Sequence, residues 1–185
     1  MFPVLARILI NLKRWNNTSV SPEEMFWNAA FLFKFGMLLE QIEDEHNEEV
    51  IGSALKLIEK IKDPYWKVEA LASVYVTLSS YGKQGKTSIF KEAISVSKQI
   101  DNSFLKAKAI SCLASAISKN DHKVSLKLTE EAIYIAESIQ DESEKQLAIF
   151  NVAKIIAPIK TELAWNVLTK AIDHSNKNNQ FYKNQ

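Results

Sequence analysis

Apolar residues return along this chain every three or four positions, which is the spacing of an amphipathic α-helix. One such stripe lies on a single helical face: Ala109, Ile110, Leu113, Ala114 and Ile117. A second stripe follows over residues 124–139, and the polar residues between the two predict a short turn. Neither stretch alternates strictly between apolar and polar positions, as a half-buried strand would. The pattern therefore predicts two helices joined as a hairpin.

The hairpin pattern recurs at a fixed interval. Ala54, Ala93 and Ala132 lie 39 positions apart, and Ala171 begins a further cycle. Apolar residues of varied shape return in register at several other positions of the interval. A period between about 20 and 50 residues is typical of stacked repeat proteins, in which each unit buries its apolar face against the next. We therefore expect an all-α solenoid with units 15–53, 54–92, 93–131 and 132–170.

Short polar side chains mark the predicted helix starts. Asp63, Asn102 and Asp141 occupy one position of the repeat, and each can accept hydrogen bonds from the free N–H groups of a following helix. Ser21 precedes Pro-Glu-Glu, which predicts the start of the first long helix. Pro158 lies where one helix must end before its partner begins.

The two ends of the chain differ from the repeats. Residues 1–14 predict an N-terminal capping helix, whose apolar side comprises Val4, Leu5, Ile8, Leu9 and Leu12. The next helix is rich in aromatic residues, so we expect the leading helix to cover it. A homodimer interface at this aromatic end is the alternative. Residues 176–185 are mostly polar and predict a C-terminal tail.

Composition argues against some classes of function but does not identify a single one. The 185 residues are 46% hydrophobic, with 23 basic and 22 acidic side chains. That balance argues against a nucleic-acid partner, whose phosphates need an excess of positive charge. A single cysteine, Cys112, and an N-terminus unlike a secretory signal predict a cytoplasmic location. No apolar run is long enough to predict a membrane partner, and we expect Cys112 to fill a partly buried position.

No group of residues has the pattern of a catalytic or metal site. Residues 80–87 end in Gly-Lys-Thr, as a phosphate-binding loop does, but Ser80 replaces the first glycine and a helix is predicted before it. Residues 43–49 are acidic, but they fall on a predicted turn before a helix start, where negative charge is favourable. We therefore expect no enzymatic activity, no cofactor and no metal.

Three lysines, Lys67, Lys106 and Lys145, share one position of the repeat. Their stems could cover apolar surface while their ammonium groups bond to a nearby acid or carbonyl. Alternatively, they could form a ladder that meets an acidic partner. We expect the first arrangement.

The hairpin unit resembles a divergent tetratricopeptide repeat (TPR) over residues 15–175. The first predicted helix carries a large apolar residue followed four positions later by a small one, as at Leu32 and Gly36 or at Ile110 and Ala114. The second helix carries an alanine, such as Ala93. The unit is longer than the usual 34 residues of that family. The resemblance implies a right-handed α-α superhelix of about four hairpins, with an inner surface lined by first helices.

The resemblance also implies candidate partner-binding residues on that inner surface. They are Phe33, Met37, Glu69, Val76, Lys108, Ser111, Ser115, Phe150 and Lys154. The predicted function is a non-catalytic protein–protein interaction or assembly module, with an unidentified protein or peptide as its partner. One alternative is a small-ligand-binding protein or enzyme with a pocket between hairpins, which would bring shifted titratable groups into a closed concavity. An RNA-binding repeat would need recurring aromatic or polar readers, and the candidate positions change character between units.

Overall fold

The computed structural model describes residues 20–183, with side chains described as far as residue 172. Within that range the chain is helical and contains no strand, which confirms the all-α prediction. The helices are α1 Pro22–Gln41, α2 Asn47–Lys60, α3 Pro64–Ser80, α4 Lys86–Ser97, α5 Ser103–Ile117, α6 His122–Glu137, α7 Glu142–Ile156 and α8 Thr161–Lys183.

Consecutive helices pair as hairpins, and the hairpins contact one another in chain order. The first helices, α1, α3, α5 and α7, each pack against the second helix that follows them. The first helices also contact one another in the series α1–α3–α5–α7. This packing is consistent with a helical repeat.

The sequence period is visible in the positions of the helices. The helices α3, α5 and α7 begin at residues 64, 103 and 142, which are 39 apart. The predicted unit boundaries at residues 54, 93 and 132 fall inside α2, α4 and α6. The hairpins that begin with α3, α5 and α7 therefore start ten residues after those boundaries. The predicted capping helix at 1–14 lies outside the described residues. The helix α8 continues to Lys183, so most of the segment predicted as a tail has a helical backbone.

The predicted caps begin the first helices. Asp63 Oδ1 accepts from the Trp66 N–H at 3.2 Å, and Asn102 Oδ1 accepts from the Leu105 N–H at 2.8 Å. Asp141 caps α7 in the same way, and Ser21 and Glu24 form a reciprocal capping box at α1. Each cap satisfies an N–H group that the helix itself leaves free.

Small residues allow each second helix to approach its first helix closely. Ala54, Ala93 and Ala132 are fully buried within α2, α4 and α6. In the first hairpin the close approach involves Gly36, where an added Cβ would lie 2.5 Å from Ile51 Cγ1 and 3.2 Å from the Ile51 nitrogen. The sequence therefore sets how near α1 and α2 can lie.

Candidate functional site

A cavity of about 740 Å³ crosses the first helices and is partly open to solvent. We call it the inner trough. It is lined by Phe26, Lys34, Glu69, Ala72, Ser73, Val76, Ser79, Ser80, Lys108, Cys112, Ser115, Ala116, Lys119, Asn120 and Ile155. The lining side chains come from α1, α3, α5 and α7 and from the turn after α5, so four consecutive hairpins build one surface.

Four of the residues predicted for an inner surface meet in the trough. Glu69 and Val76 lie on α3, and Lys108 and Ser115 occupy the matching positions on α5, 39 residues later. The exposed Val76 side chain gives the trough an apolar position, while the other three are half-buried and polar.

Three of the predicted residues are buried and do not line the trough. Phe33 and Met37 are each only 3% exposed, and they line a separate groove of about 400 Å³ between the first two hairpins. Ser111 is completely buried, and its hydroxyl donates to the Lys108 carbonyl at 2.8 Å. Phe33 and Ser111 share one position of the repeat, which also holds Ala72, a residue of the trough lining.

The remaining two predicted residues, Phe150 and Lys154, are exposed on α7 but do not line the trough. Phe150 occupies the same position of the repeat as Phe33 and Ser111. It is 56% exposed, whereas Phe33 and Ser111 are buried.

The sequence interpretation missed two lysines that line the trough. Lys34, Ser73 and Cys112 share one position of the repeat, and all three line the trough on successive first helices. Lys119 lies in the turn after α5, 39 residues after the lining residue Ser80. A search for polar residues recurring at the 39-residue interval would have found both sets.

A cluster of polar groups lies on α3 and α5 at one part of the trough. The Cys112 thiol donates to Glu69 Oε2 across a distance of 3.6 Å. The Lys108 ammonium lies 5.2 Å from the centre of the Tyr65 ring, within the range of a cation–π interaction. The four side chains therefore satisfy one another between neighbouring first helices.

Burial shifts the ionisation of this cluster. It raises the pKa of the Glu69 carboxyl, although the Lys108 ammonium and hydrogen bonds from Cys112 and Tyr65 act in the opposite direction. Burial, and then the Glu69 charge, raise the pKa of the Cys112 thiol and of the Tyr65 hydroxyl. Both groups therefore stay protonated near neutral pH, and a protonated thiol or phenol is a poor nucleophile.

The substitution Glu69→Gln is expected to stabilise the protein near neutral pH. Because burial raises the folded-state pKa of Glu69, its contribution to stability is fully present below the unfolded-state pKa and is lost as the pH rises through the folded-state pKa. The neutral amide avoids that loss and keeps an acceptor for Cys112. Urea unfolding should give a more stable variant at about pH 7, with the difference disappearing near pH 4, where glutamate is largely protonated.

The control for this experiment is Glu131→Gln, which removes an exposed carboxylate on α6. It should have little effect at either pH. A Glu69→Gln variant less stable than the original chain at neutral pH would mean that the attraction of Lys108 outweighs the burial of the carboxylate.

The lysines that share one position of the repeat, Lys67, Lys106 and Lys145, have local partners, as expected. Their ammonium groups lie 3.5 Å from the Glu92 carboxylate, 3.4 Å from the Lys98 carbonyl and 3.5 Å from the Glu142 carboxylate. These contacts do not indicate a ladder of unpaired lysines that would bind an acidic partner.

The segment that resembles a phosphate-binding loop and the acidic segment before α2 both lie at turns between the two helices of a hairpin. Gly82 and Gly85, in the segment that resembles a phosphate-binding loop, take φ angles of 65° and 85° between α3 and α4. In the acidic turn, Asp44 Oδ1 lies 2.9 Å from His46 Nδ1. Across the described residues, no group of three or more histidine, cysteine, aspartate or glutamate side chains could hold a metal ion.

None of the described helices combines the length and apolar character that a membrane crossing requires. Comparison of the chain with protein-family models, with curated proteins and with solved structures found no match. The resemblance to tetratricopeptide repeats therefore stays a prediction that rests on the residues of the hairpin unit.

Proposed function

We propose that this protein is a non-catalytic binding module that holds a segment of another protein in the inner trough. The proposal takes the paired helices as a short, right-handed, TPR-like solenoid. The observation that carries it is the composition of the trough, in which side chains from four consecutive first helices form one continuous surface.

The size of the trough suits a short peptide segment. Packed helices lie about 8–10 Å apart, so four neighbouring first helices span roughly 25–30 Å. An extended chain covers about 3.3 Å per residue, so a segment of roughly eight residues would cross the whole surface. Val76, Ala116 and Ile155 offer apolar contacts along it, and the serines between them offer hydrogen bonds.

The charge of the trough favours an acidic segment. Three lysines, Lys34, Lys108 and Lys119, line it, against one acidic residue, Glu69. Glu69 offsets part of the Lys108 charge. Lys34 and Lys119 are exposed, and they carry the remaining positive charge of the trough. Such groups attract and orient a partner of opposite charge. We therefore expect a partner segment that places carboxylates beside one or two apolar anchors.

A library of synthetic ten-residue peptides tests this proposal. Peptides that combine aspartate or glutamate with leucine or phenylalanine should bind the full chain in fluorescence polarisation, more weakly as salt is added. The double substitution Lys34→Glu and Lys119→Glu should weaken binding of the best peptide at least about tenfold, or roughly 1.4 kcal/mol.

The matched control reverses two exposed lysines on α6, Lys123→Glu and Lys127→Glu, which do not line the trough. It makes the same change in net charge but should leave the affinity nearly unchanged. Equal losses in the two double variants would mean that only the net charge of the protein matters. If acidic peptides bind no better than basic ones, the proposed partner chemistry is wrong.

A second candidate function is the binding of a small ligand at the cluster of Tyr65, Glu69, Lys108 and Cys112. It is favoured by the shifted titratable groups of this cluster and by a cavity volume within the usual range for small-molecule sites, about 300–1,000 Å³. The openness of the trough and the pairing of these groups with one another favour the peptide. A small-molecule thermal-shift screen separates the two, because only the ligand hypothesis expects a hit that Glu69→Gln abolishes.

A further inference from the structure

Among the described residues that line the inner trough, Glu69 is the only acidic one. Three lysines line the same surface: Lys34, Lys108 and Lys119. The charge of Lys108 acts on the Glu69 carboxyl and favours its ionised form. A partner segment that brings carboxylates into the trough therefore competes with Glu69 for the charge of Lys108.

The groups around the Glu69 carboxyl belong to two neighbouring first helices. The Cys112 thiol of α5 donates a hydrogen bond to Glu69 Oε2 at 3.6 Å, and the Tyr65 hydroxyl on α3 donates another to the same carboxyl. The Lys108 ammonium of α5 lies 5.2 Å from the centre of the Tyr65 ring. The carboxyl therefore accepts from two protonated groups and lies near one cation.

Lys108 is the one charged group, among the described residues of the helices packed against α3, that acts on the Glu69 carboxyl. Those helices are α1, α2, α4 and α5, and no titratable side chain described on α2 or α4 acts on it. Glu23 of α1 acts on the Tyr65 hydroxyl instead, and Lys34 of α1 lines the trough. The ionisation of Glu69 therefore determines how much of the Lys108 charge a partner meets.

We propose that Glu69 is a proton-controlled competitor for the carboxylates of the partner, so that the trough binds an acidic segment more tightly as the pH falls. This inference rests on the proposed function. When Glu69 is ionised, its charge offsets that of Lys108 and repels an approaching carboxylate. When Glu69 is protonated, the repulsion ends and the Lys108 charge becomes available to the partner.

Glu69 takes up its proton at a higher pH than the carboxylates of the partner do. Burial raises the pKa of the Glu69 carboxyl, although Lys108 and the two hydrogen bonds act in the opposite direction. Exposed carboxylates on a peptide keep ordinary pKa values of about 4. Because the bound segment adds negative charge beside Glu69, binding itself favours the protonated form, so the complex takes up protons as it forms.

The expected pH dependence has the opposite sign to that of a simple attraction between lysines and carboxylates. Such an attraction weakens as acid protonates the carboxylates. A trough controlled by Glu69 binds more tightly as the pH falls from about 8 to about 5. It weakens only at lower pH, where the carboxylates of the partner lose their charge.

The best acidic peptide from the library, carrying a dye insensitive to pH, tests the inference with the full chain in fluorescence polarisation. Between about pH 8 and pH 5 its affinity for the unchanged chain should rise at least about threefold. Glu69→Gln should bind it at least about threefold more tightly at pH 8 and lose the rise, because the amide is neutral throughout. The chain has three histidines, which titrate in the same range, but both proteins contain them. The difference between the two profiles therefore isolates Glu69.

Two further variants separate this mechanism from a general effect of charge. Glu131→Gln removes an exposed carboxylate on α6 and should leave the affinity and its pH dependence unchanged. Adding Lys108→Gln to Glu69→Gln should remove the gain in affinity, because the cation that Glu69 releases is then missing. Circular dichroism checks that each variant stays helical.

Calorimetry on the unchanged chain gives a second measurement that does not depend on the folding of the Glu69 variants. Titration of the peptide near neutral pH, in buffers of different ionisation enthalpy, should show that protons are taken up on binding. His122→Asn, beside the turn that carries Lys119, should leave this uptake in place. Binding without proton uptake, or uptake that His122→Asn abolishes, would overturn the inference.

The inference and the proposed function fail in different ways. If the peptide binds and Lys34→Glu with Lys119→Glu weakens it, but acid only lowers its affinity for the unchanged chain, the inference is wrong and the proposed function stands. Weaker binding by Glu69→Gln would mean that the carboxylate contacts the partner directly. A gain that survives Lys108→Gln would mean that Glu69 does not withhold the Lys108 charge. If no acidic peptide binds, both are wrong.

Discussion

The substitution Gly36→Val is expected to lower the free energy of unfolding by about 3 kcal/mol, the upper part of the range for overpacked cores. Gly36 lies on α1 where it faces α2, and an added Cβ would lie 2.5 Å from Ile51 Cγ1. The α2 backbone is also near, with the Ile51 nitrogen at 3.2 Å and the Asn47 carbonyl oxygen at 3.4 Å. The two helices must move apart to admit the side chain, and urea unfolding measures the loss.

Gly52 supplies the matched control for that substitution. It lies in the interior of α2, and an added Cβ there would meet nothing within 4 Å. Valine is slightly better than glycine in a helix, so Gly52→Val should change stability by no more than about 0.5 kcal/mol. Equal destabilisation by the two substitutions would mean that Gly36 does not mark a close approach between α1 and α2.

The substitution Leu113→Ala is expected to remove about 3–4 kcal/mol of stability. Leu113 lies on α5 in the middle of the row of first helices and has no exposed surface. Truncating it removes buried methyl groups and leaves a cavity, for which measured losses are about 2–5 kcal/mol. In a stacked repeat each hairpin depends on its neighbours, so the loss in a central hairpin should appear in the cooperative unfolding of the whole chain.

Leu147→Ala makes the same chemical change on α7, where the leucine is 54% exposed. This control should lose less than about 1 kcal/mol, because little buried surface disappears. Similar losses at both positions would contradict the packing of α5 between its neighbours. Denaturant titration of both variants, with comparison of midpoint and slope, measures the difference.

The core was predictable from the sequence because burial in a repeat is local and periodic. Leu71, Ile110 and Ile149 are buried at one position of the repeat, as the helical stripes predict. The caps at Asp63 and Asn102 were predictable because a short oxygen-bearing side chain before a helix has a specific partner.

The inner surface was only partly predictable, because neighbouring residues of a first helix face three different directions. Phe31 is 54% exposed, whereas Phe33, two residues further on, is 3% exposed. Leu32, between them, is buried even in this first described hairpin. Lys34 lies two residues beyond Leu32, a rotation of about 200° around the helix, and it lines the trough.

Two of the predicted inner-surface residues differ in exposure although they lie about one helical turn apart. Ser111 and Ser115 share a helical face by spacing, yet Ser111 is buried while Ser115 lines the trough. Packed helices cross at an angle, so their contact is closest at one point and opens along their length. Burial along one helical face therefore changes from one turn to the next. The 39-residue period of the sequence does not specify the crossing angle of the helices.

Photo-crosslinking of the selected acidic peptide tests most directly whether the first helices form a binding surface. A photoreactive phenylalanine analogue at position 76 replaces the exposed Val76 of the trough, and one at position 134 replaces the exposed Tyr134 of α6. Occupation of the trough predicts a peptide adduct from position 76 and little from position 134. An adduct from position 134 alone, equal adducts from both positions, or the failure of every acidic peptide to bind would contradict it.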